Sequence, residues 1–374
     1  MRKALGIIAV TLATGCVFAA GCSSCNNNNK NVAPLASNWY TNTSYRNIQP
    51  TFIEGNDLFK TKEVITYDVN FVKPSLGNAT YSVEYTNGSY TTEFYATTFN
   101  TSENSTLIHA DHKSGYTGKN IIAYYYKTTF KADITYTCGN DDPKTFENSS
   151  VVTECYFLSV ENQLRPLYSK QVVNSPSPAA LQATSIDVCY TLFDAVYENF
   201  YTYNGKSVIT KIEDNVNSKN SGETKRGVGG TSHSLFDVTT LDIALRALIG
   251  SSFNQTIQLY SPLNAIKTFT LSSPSTAIGN DEQKAAIASK LQDKGLYVPV
   301  IKDEKEVGLQ TKAVTVTSNT QLSGVSQTYW FAKVENKRNN VGRATLLKIS
   351  LPIVFNLGTL EYNIKEVSST LWNG

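Results

Sequence analysis

Two imidazoles and a carboxylate stand within four residues at His109, Ala110, Asp111 and His112, which is the only grouping of metal-ligating type in the chain. His109, Asp111 and His112 could hold a zinc ion, but a catalytic zinc needs three protein ligands with a position left for water. The duller expectation is a solvated loop. Gly227-Val228-Gly229-Gly230-Thr231 has the glycine density of a phosphate cradle. It follows a polar, charged loop rather than a buried strand and carries no Gly-Lys-Ser/Thr, so nucleotide chemistry is not expected. Gly-x-Ser-x-Gly and Ser-x-x-Lys are both missing. His233, between two serines, is the one isolated candidate base, and surface hydrogen bonding is the better account of it. No pair of carboxylates stands out on apolar strands, as a glycosidase would need. No cofactor motif is present, and the reading is of a chain without catalytic residues.

Thiols are the remaining reactive groups. Of six cysteines, Cys16 and Cys22 fall in or beside an N-terminal apolar run, leaving Cys25, Cys138, Cys155 and Cys189. Cys138 and Cys155 each sit near the end of an expected strand flanking one polar loop, so they are the expected disulfide. Four cysteines permit three pairings, and buried free thiols are the alternative.

The apolar run itself is informative. Arg2 and Lys3 precede Ala4 to Ala20, the order of charge then apolar stretch that marks a secretory signal. It is too short and too rich in small residues to read as a membrane span. After it come Ala19-Ala20-Gly21-Cys22, which resemble the lipobox of bacterial lipoproteins, with Ala19 where leucine is usual. That resemblance implies cleavage after residue 21, acylation of Cys22, and anchoring on the extracytoplasmic face of a bacterial cell membrane. Residues 22–38 are polar, open with an asparagine run, and read as a flexible tether reaching roughly 20–25 Å.

Charge excludes one class of partner. Residues 1–21 hold two of the 33 basic residues and none of the 31 acidic ones, so the remainder is neutral. With no dense Lys/Arg cluster either, nucleic acid is not an expected partner. The low charged fraction of 17%, against about 25% in ordinary domains, is made up by Ser, Thr, Asn and Tyr, as in extracytoplasmic β proteins.

The elements that would position these groups are mostly strands. Ile65, Tyr67, Val69 and Phe71 alternate with polar residues. Tyr81, Val83 and Tyr85 do the same before Asn87-Gly88, a strong hairpin signal, so Tyr85 is expected opposite Tyr90 and Tyr81 opposite Phe94. From Ile121 to Cys138 the even positions are almost all apolar or aromatic, interrupted at Thr128, which predicts one long strand and a curved sheet. Further strands are read over Val151 to Val160 and Leu167 to Val173. Asn174 to Pro178, with two prolines, is the expected break between an N-terminal β region (39–174) and a C-terminal α+β region (179–374), which could still share one sheet. Ile186 to Tyr203 and Lys206 to Val216 form a second expected hairpin, with Tyr201 opposite Val208 and Glu198 opposite Lys211, and one mixed face turned to solvent or a wet cavity. Helices are predicted from Asp237 to Ile249 and from Asp281 to Lys294, each with a capping residue and a glycine stop. Strands over Gln255 to Tyr260, Ile266 to Leu271, Thr328 to Glu335, Arg343 to Leu351 and Gly358 to Val367 complete the pattern.

The expected fold is mainly β, a long curved antiparallel sheet of half-barrel or barrel-like form with two helices in the C-terminal half. In outline this is similar to the half-barrel lipoprotein carriers, over about residues 60 to 370 and without a diagnostic motif. That resemblance implies a non-enzymatic protein holding a hydrophobic small molecule or lipid between sheet and helices, with Tyr124, Tyr126, Phe130 and Tyr136 as candidate contacts. The second expectation is a structural or protein-interaction module with an envelope protein as partner. A metal-dependent hydrolase is the third.

Overall fold

The computed structural model describes residues 61–371 except 78–79, 101–104, 161–162, 180–182, 228–234, 248–253, 262–264, 294–299, 303–304, 319–325 and 333–344. The signal, Cys22, the tether, most of the 227–231 glycine cluster and His233 lie outside the described residues.

Alternation dictates the fold. The strands are β1 (Thr61–Val72), β2 (Tyr81–Asn100), β3 (Asn120–Cys138), β4 (Lys144–Val160), β5 (Gln163–Pro178), β6 (Tyr190–Tyr201), β7 (Ser207–Asp214), β8 (Gly222–Gly227), β9 (Leu235–Asp237), β10 (Asn254–Ser261) and β11 (Ala265–Ser272). After a small hairpin of β12 (Val300–Lys302) and β13 (Lys305–Val307) come β14 (Thr311–Ser318), β15 (Ser326–Ala332), β16 (Leu346–Ile353) and β17 (Gly358–Leu371). Fifteen of these form one sheet in the order β8-β7-β6-β5-β4-β3-β2-β1-β17-β16-β15-β14-β11-β10-β9. All its pairings are antiparallel except that of β9 with β10. Along β3, Tyr124, Tyr126, Thr128, Phe130, Ala132, Ile134, Tyr136 and Cys138 are all buried, so the period-2 pattern identifies the inner face.

Asn87-Gly88 does not turn the chain back. It is a bulge inside the 20-residue strand β2, where the register with β3 shifts between Thr86 and Ser89. Asn87 takes a positive φ of 53°, as in the expected turn, but the bulge spends that conformation on a change of parity. Tyr81, Val83 and Tyr85 before it and Tyr90 and Phe94 after it therefore share the buried face without being partners. β4 shifts register at the same level, between Ala132 and Ile134 of β3. Asp133 serves both bulges: its carboxylate accepts from Asn87 Nδ2 at 2.7 Å and from Asn148 N–H at 2.8 Å. A Cβ on Gly88 would lie 2.7 Å from the Val69 carbonyl oxygen and 2.9 Å from Val69 Cβ. Gly88→Val is accordingly expected to lower stability by about 1–3 kcal/mol, read from the denaturant midpoint.

The expected break at Asn174 to Pro178 is instead part of β5, which pairs with β6 as far as Pro178↔Tyr190. Pairing with β4 stops at Asn174. Ala179 N–H donates to Cys189 O at 3.1 Å, so odd-numbered residues here point their amides at β6. Pro176 and Pro178 thus turn their missing donors to the side with no neighbouring strand, where proline is tolerated. The sheet consequently runs through both halves of the chain.

Four helices are present among the described residues: α1 (Lys113–Tyr116), α2 (Ile186–Cys189), α3 (Leu241–Ala247) and α4 (Asp281–Gln292). The start of the second expected hairpin is α2 rather than strand, but its pairings Tyr201↔Val208 and Glu198↔Lys211 are present. Asp237 caps the turn that leads into α3, and Asn280 with Gln283 forms a capping box on α4. β8 is an exposed edge strand where a polar, charged loop was expected before the glycine cluster, and β9, β12, β13 and β14 had no reading from the sequence.

Candidate functional site

One end of the open sheet packs over the other and buries a polar seam. β9 touches β5, bringing one end of the sheet across the inner faces of strands near the other. Asp237 ends β9 with no exposed surface. Its carboxylate accepts from Ser169 Oγ on β5 (2.6 Å), Asn199 Nδ2 on β6 (3.1 Å) and the Tyr201 hydroxyl on β6 (2.5 Å). Its other oxygen takes Thr239 N–H (2.9 Å) and the Thr239 hydroxyl (2.7 Å). Asn199 Oδ1 accepts from Thr210 on β7, whose hydroxyl also meets that of Tyr260 on β10 at 2.7 Å. With all lone pairs engaged, Asp237 is a structural acceptor rather than a base.

One helical turn on, α3 lays charge on the inner face. Arg246 meets Glu63 of β1 through two hydrogen bonds, 2.8 and 3.0 Å, with both side chains buried. Asp242 accepts from the Tyr126 hydroxyl and from Ile243 N–H. Removal from water is the dominant influence on it and pushes its pKa up to about 6, against opposing help from Tyr126, the Ile243 amide and Arg246. These groups line a cavity of about 10 Å³ together with Tyr67 and Thr92, room for one water molecule. A drug-sized ligand requires about 300 Å³.

The Asp242 carboxyl holds its proton more tightly folded than unfolded, where its pKa is about 3.9. Its contribution to stability is therefore greatest below about pH 4 and is lost as pH rises through 6. Asp242→Asn should flatten that slope and raise stability at pH 8 by about 2–3 kcal/mol, with little change at pH 4. Denaturant titrations at the two pH values measure it.

The aromatic candidates are spent on the core. Tyr124 stacks between Phe94 and Phe157 at 5.8 and 5.3 Å. Phe130 packs against Tyr362, and Tyr136 against Phe146 and Tyr190. Tyr126 alone among the four borders the small cavity.

The metal expectation is corrected. His109 Nε2 faces Glu223 at 3.4 Å, and Asp111 turns to Lys225 at 3.3 Å. His112 is buried, and that burial is the main cause that lowers its pKa, with His109 and Lys225 adding to it. No three His, Cys, Asp or Glu side chains gather to hold an ion among the described residues. Instead, the segment from Ile108 to Tyr116 covers Phe200 and Ile209, so that part of the mixed face is dry.

The disulfide expectation fails on distance. Cys155 lies opposite Tyr126, twelve residues along β3 from Cys138, or roughly 40 Å of strand. Cys138, Cys155 and Cys189 are all free and buried.

Two rows on the outer face were not anticipated. Tyr95, Tyr125, Tyr156, Tyr168 and Phe200 stand directly opposite one another on β2 to β6, with ring centroids 4.8, 5.0, 6.5 and 5.2 Å apart. Beside them Glu93, Lys127, Glu154, Lys170, Glu198, Lys211 and Glu223 alternate in sign from β2 to β8. Lys127 and Glu154 approach to 2.7 Å. The signal existed in Tyr125, an aromatic at an odd position between two inward tyrosines.

No known protein family matches the chain, and no curated protein does. One solved structure, described as a β-barrel-like protein of the domain of unknown function DUF1849 from Brucella abortus, aligns with a TM-score of 0.39 and 9% identity, covering 84% of this chain and 99% of that one.

Proposed function

We propose that the protein is a lipid-anchored, non-enzymatic module on the extracytoplasmic face of a bacterial cell membrane that works by contact with an envelope protein through its outer sheet face. The observation that carries this reading is the division of aromatic side chains. Tyr124, Phe130 and Tyr136 are consumed inside, whereas Tyr95 and Tyr156 remain half-buried on the outside. Tyrosine combines large contact area with low entropy cost on ordering, so these two rings suit protein recognition. The neighbouring row of alternating charge would set the register of a partner. The anchor rests on the lipobox resemblance at Cys22.

A photo-cross-linking residue placed at Tyr156, and another at Asp68 on β1 as control, tests the surface in intact cells. A discrete adduct from position 156, lost when Lys127 and Lys170 are both changed to Glu, supports it. Equal labelling from both positions, or none from 156, overturns it. Palmitate labelling of the wild type and of Cys22→Ser tests the anchor separately.

A further inference from the structure

Cys138 ends β3 and Cys189 ends α2, and the two meet although 50 residues separate them in sequence. Both side chains are fully buried, the two thiols are near enough to act on each other electrostatically, and Cys189 Sγ donates to Ile186 O at 3.3 Å. The backbone around them is tied from both sides. Tyr81, opposite Cys138 in the ladder, donates its hydroxyl to Cys189 O at 2.7 Å. Ala179 N–H donates to the same carbonyl at 3.1 Å. Asp141, whose amide bonds Cys138 O at 3.1 Å, accepts Ile186 N–H at 2.7 Å. Thus α2 is held onto the turn that follows Cys138, and the sulfurs share one pocket by construction of the fold. Cys155 is far along the sheet, against Thr239.

We infer that Cys138 and Cys189 are joined by a disulfide in the exported protein, closing the β3-to-α2 stretch of the sheet covalently. The inference rests on the extracytoplasmic reading, since that compartment supplies the oxidant, a disulfide-bearing thiol oxidoreductase or small-molecule disulfide. In the balanced step one cysteine thiolate attacks the oxidant's disulfide, releasing one thiol and leaving a mixed disulfide. The second cysteine thiolate then displaces the other sulfur. Two protons leave the protein, and the oxidant departs as two thiols. Burial raises the pKa of both thiols in the folded, reduced state and shuts out the oxidant. Exchange therefore belongs to the folding chain, and the finished bond is shielded from reductant.

The test is mass spectrometry of the full chain after thiols are blocked in intact cells, with no reduction before digestion. A peptide linking 138 to 189, present in most molecules and also in Cys155→Ala, is the expected result. Reduction of the unfolded protein and refolding without oxidant should lower Tm by on the order of 5–10 °C. In exported protein, recovery of both cysteines blocked as free thiols, or a dominant link to Cys25 or Cys155, overturns the inference. Refolding the purified chain in mixed reduced and oxidised glutathione separates the two readings. A 138–189 bond formed there, with the cellular protein found reduced in the cytoplasm, removes the export reading alone. Exported protein whose two thiols stay free removes the disulfide alone.

Discussion

Asp237→Ala is expected to lower the stability of the folded protein by about 4–5 kcal/mol, near the upper end for single substitutions. The aspartate carries no exposed surface, so its loss lets in no water to replace it without rearrangement. Ser169 Oγ, Asn199 Nδ2, Tyr201 OH and both donors of Thr239 would lose their acceptor together, and each buried donor left unpaired costs about 1–3 kcal/mol. Asn199 and Ser169, 3.0 Å apart, can partly satisfy one another, which keeps the total below the sum. The cap of the turn entering α3 is lost as well. Ser169→Ala removes one donor of five and should cost only about 1 kcal/mol. Thermal and denaturant unfolding of the two variants compare them. A loss in Asp237→Ala no larger than in Ser169→Ala would mean that the seam does not hold the ends of the sheet together.

The contrast between these two sites and the strands explains what could be read from the sequence. Local rules sufficed where the cause was local. The even-position pattern of β3 marks its buried face because pleating is fixed by the backbone. Asn280 and Gln283 announce α4 because both partners of the box lie within one turn. The pairing across Asn204-Gly205 follows from counting outward along two amphipathic strands. Asn87-Gly88 has the same local chemistry and a different outcome, since what selects a bulge there is remote: the Val69 carbonyl packed against Gly88 and Asp133 held between two strands. Pro176 and Pro178 mislead for a similar reason. Whether a missing N–H matters depends on which edge of β5 has a neighbour, and the sequence of β5 does not contain that fact. The seam leaves a fainter mark. Ser169 on β5 and Asn199 on β6 are polar residues at inward, buried positions, and each alone looks like an imperfection. Their meaning comes only when β9 brings Asp237 across the inner face. Glu63 is the same kind of residue, an acid at an inward position whose partner lies at Arg246, far along the chain.

That pair should give the second large effect. Arg246→Met is expected to cost about 3–5 kcal/mol at pH 8, because it takes the doubly hydrogen-bonded guanidinium away from the buried Glu63 carboxylate. It also withdraws the cation that helps keep Asp242 ionised, so two carboxylates face a cavity with room for one water. Both carboxyls then bind protons more tightly in the folded state, and the variant should regain stability as pH falls from 8 to 5, more steeply than wild type. Glu63→Gln should cost less, because Arg246 keeps Asp242 as a neighbouring charge and can donate to the glutamine oxygen. The double change Glu63→Gln with Arg246→Met should be less damaging at pH 8 than Arg246→Met alone, since both members of the buried ion pair are then neutral. Denaturant midpoints of the three variants at pH 5 and pH 8 decide the matter. An Arg246→Met penalty that is the same at both pH values would show that lost packing over Phe94, whose ring lies 6.0 Å from the guanidinium, matters more than the lost ion pair.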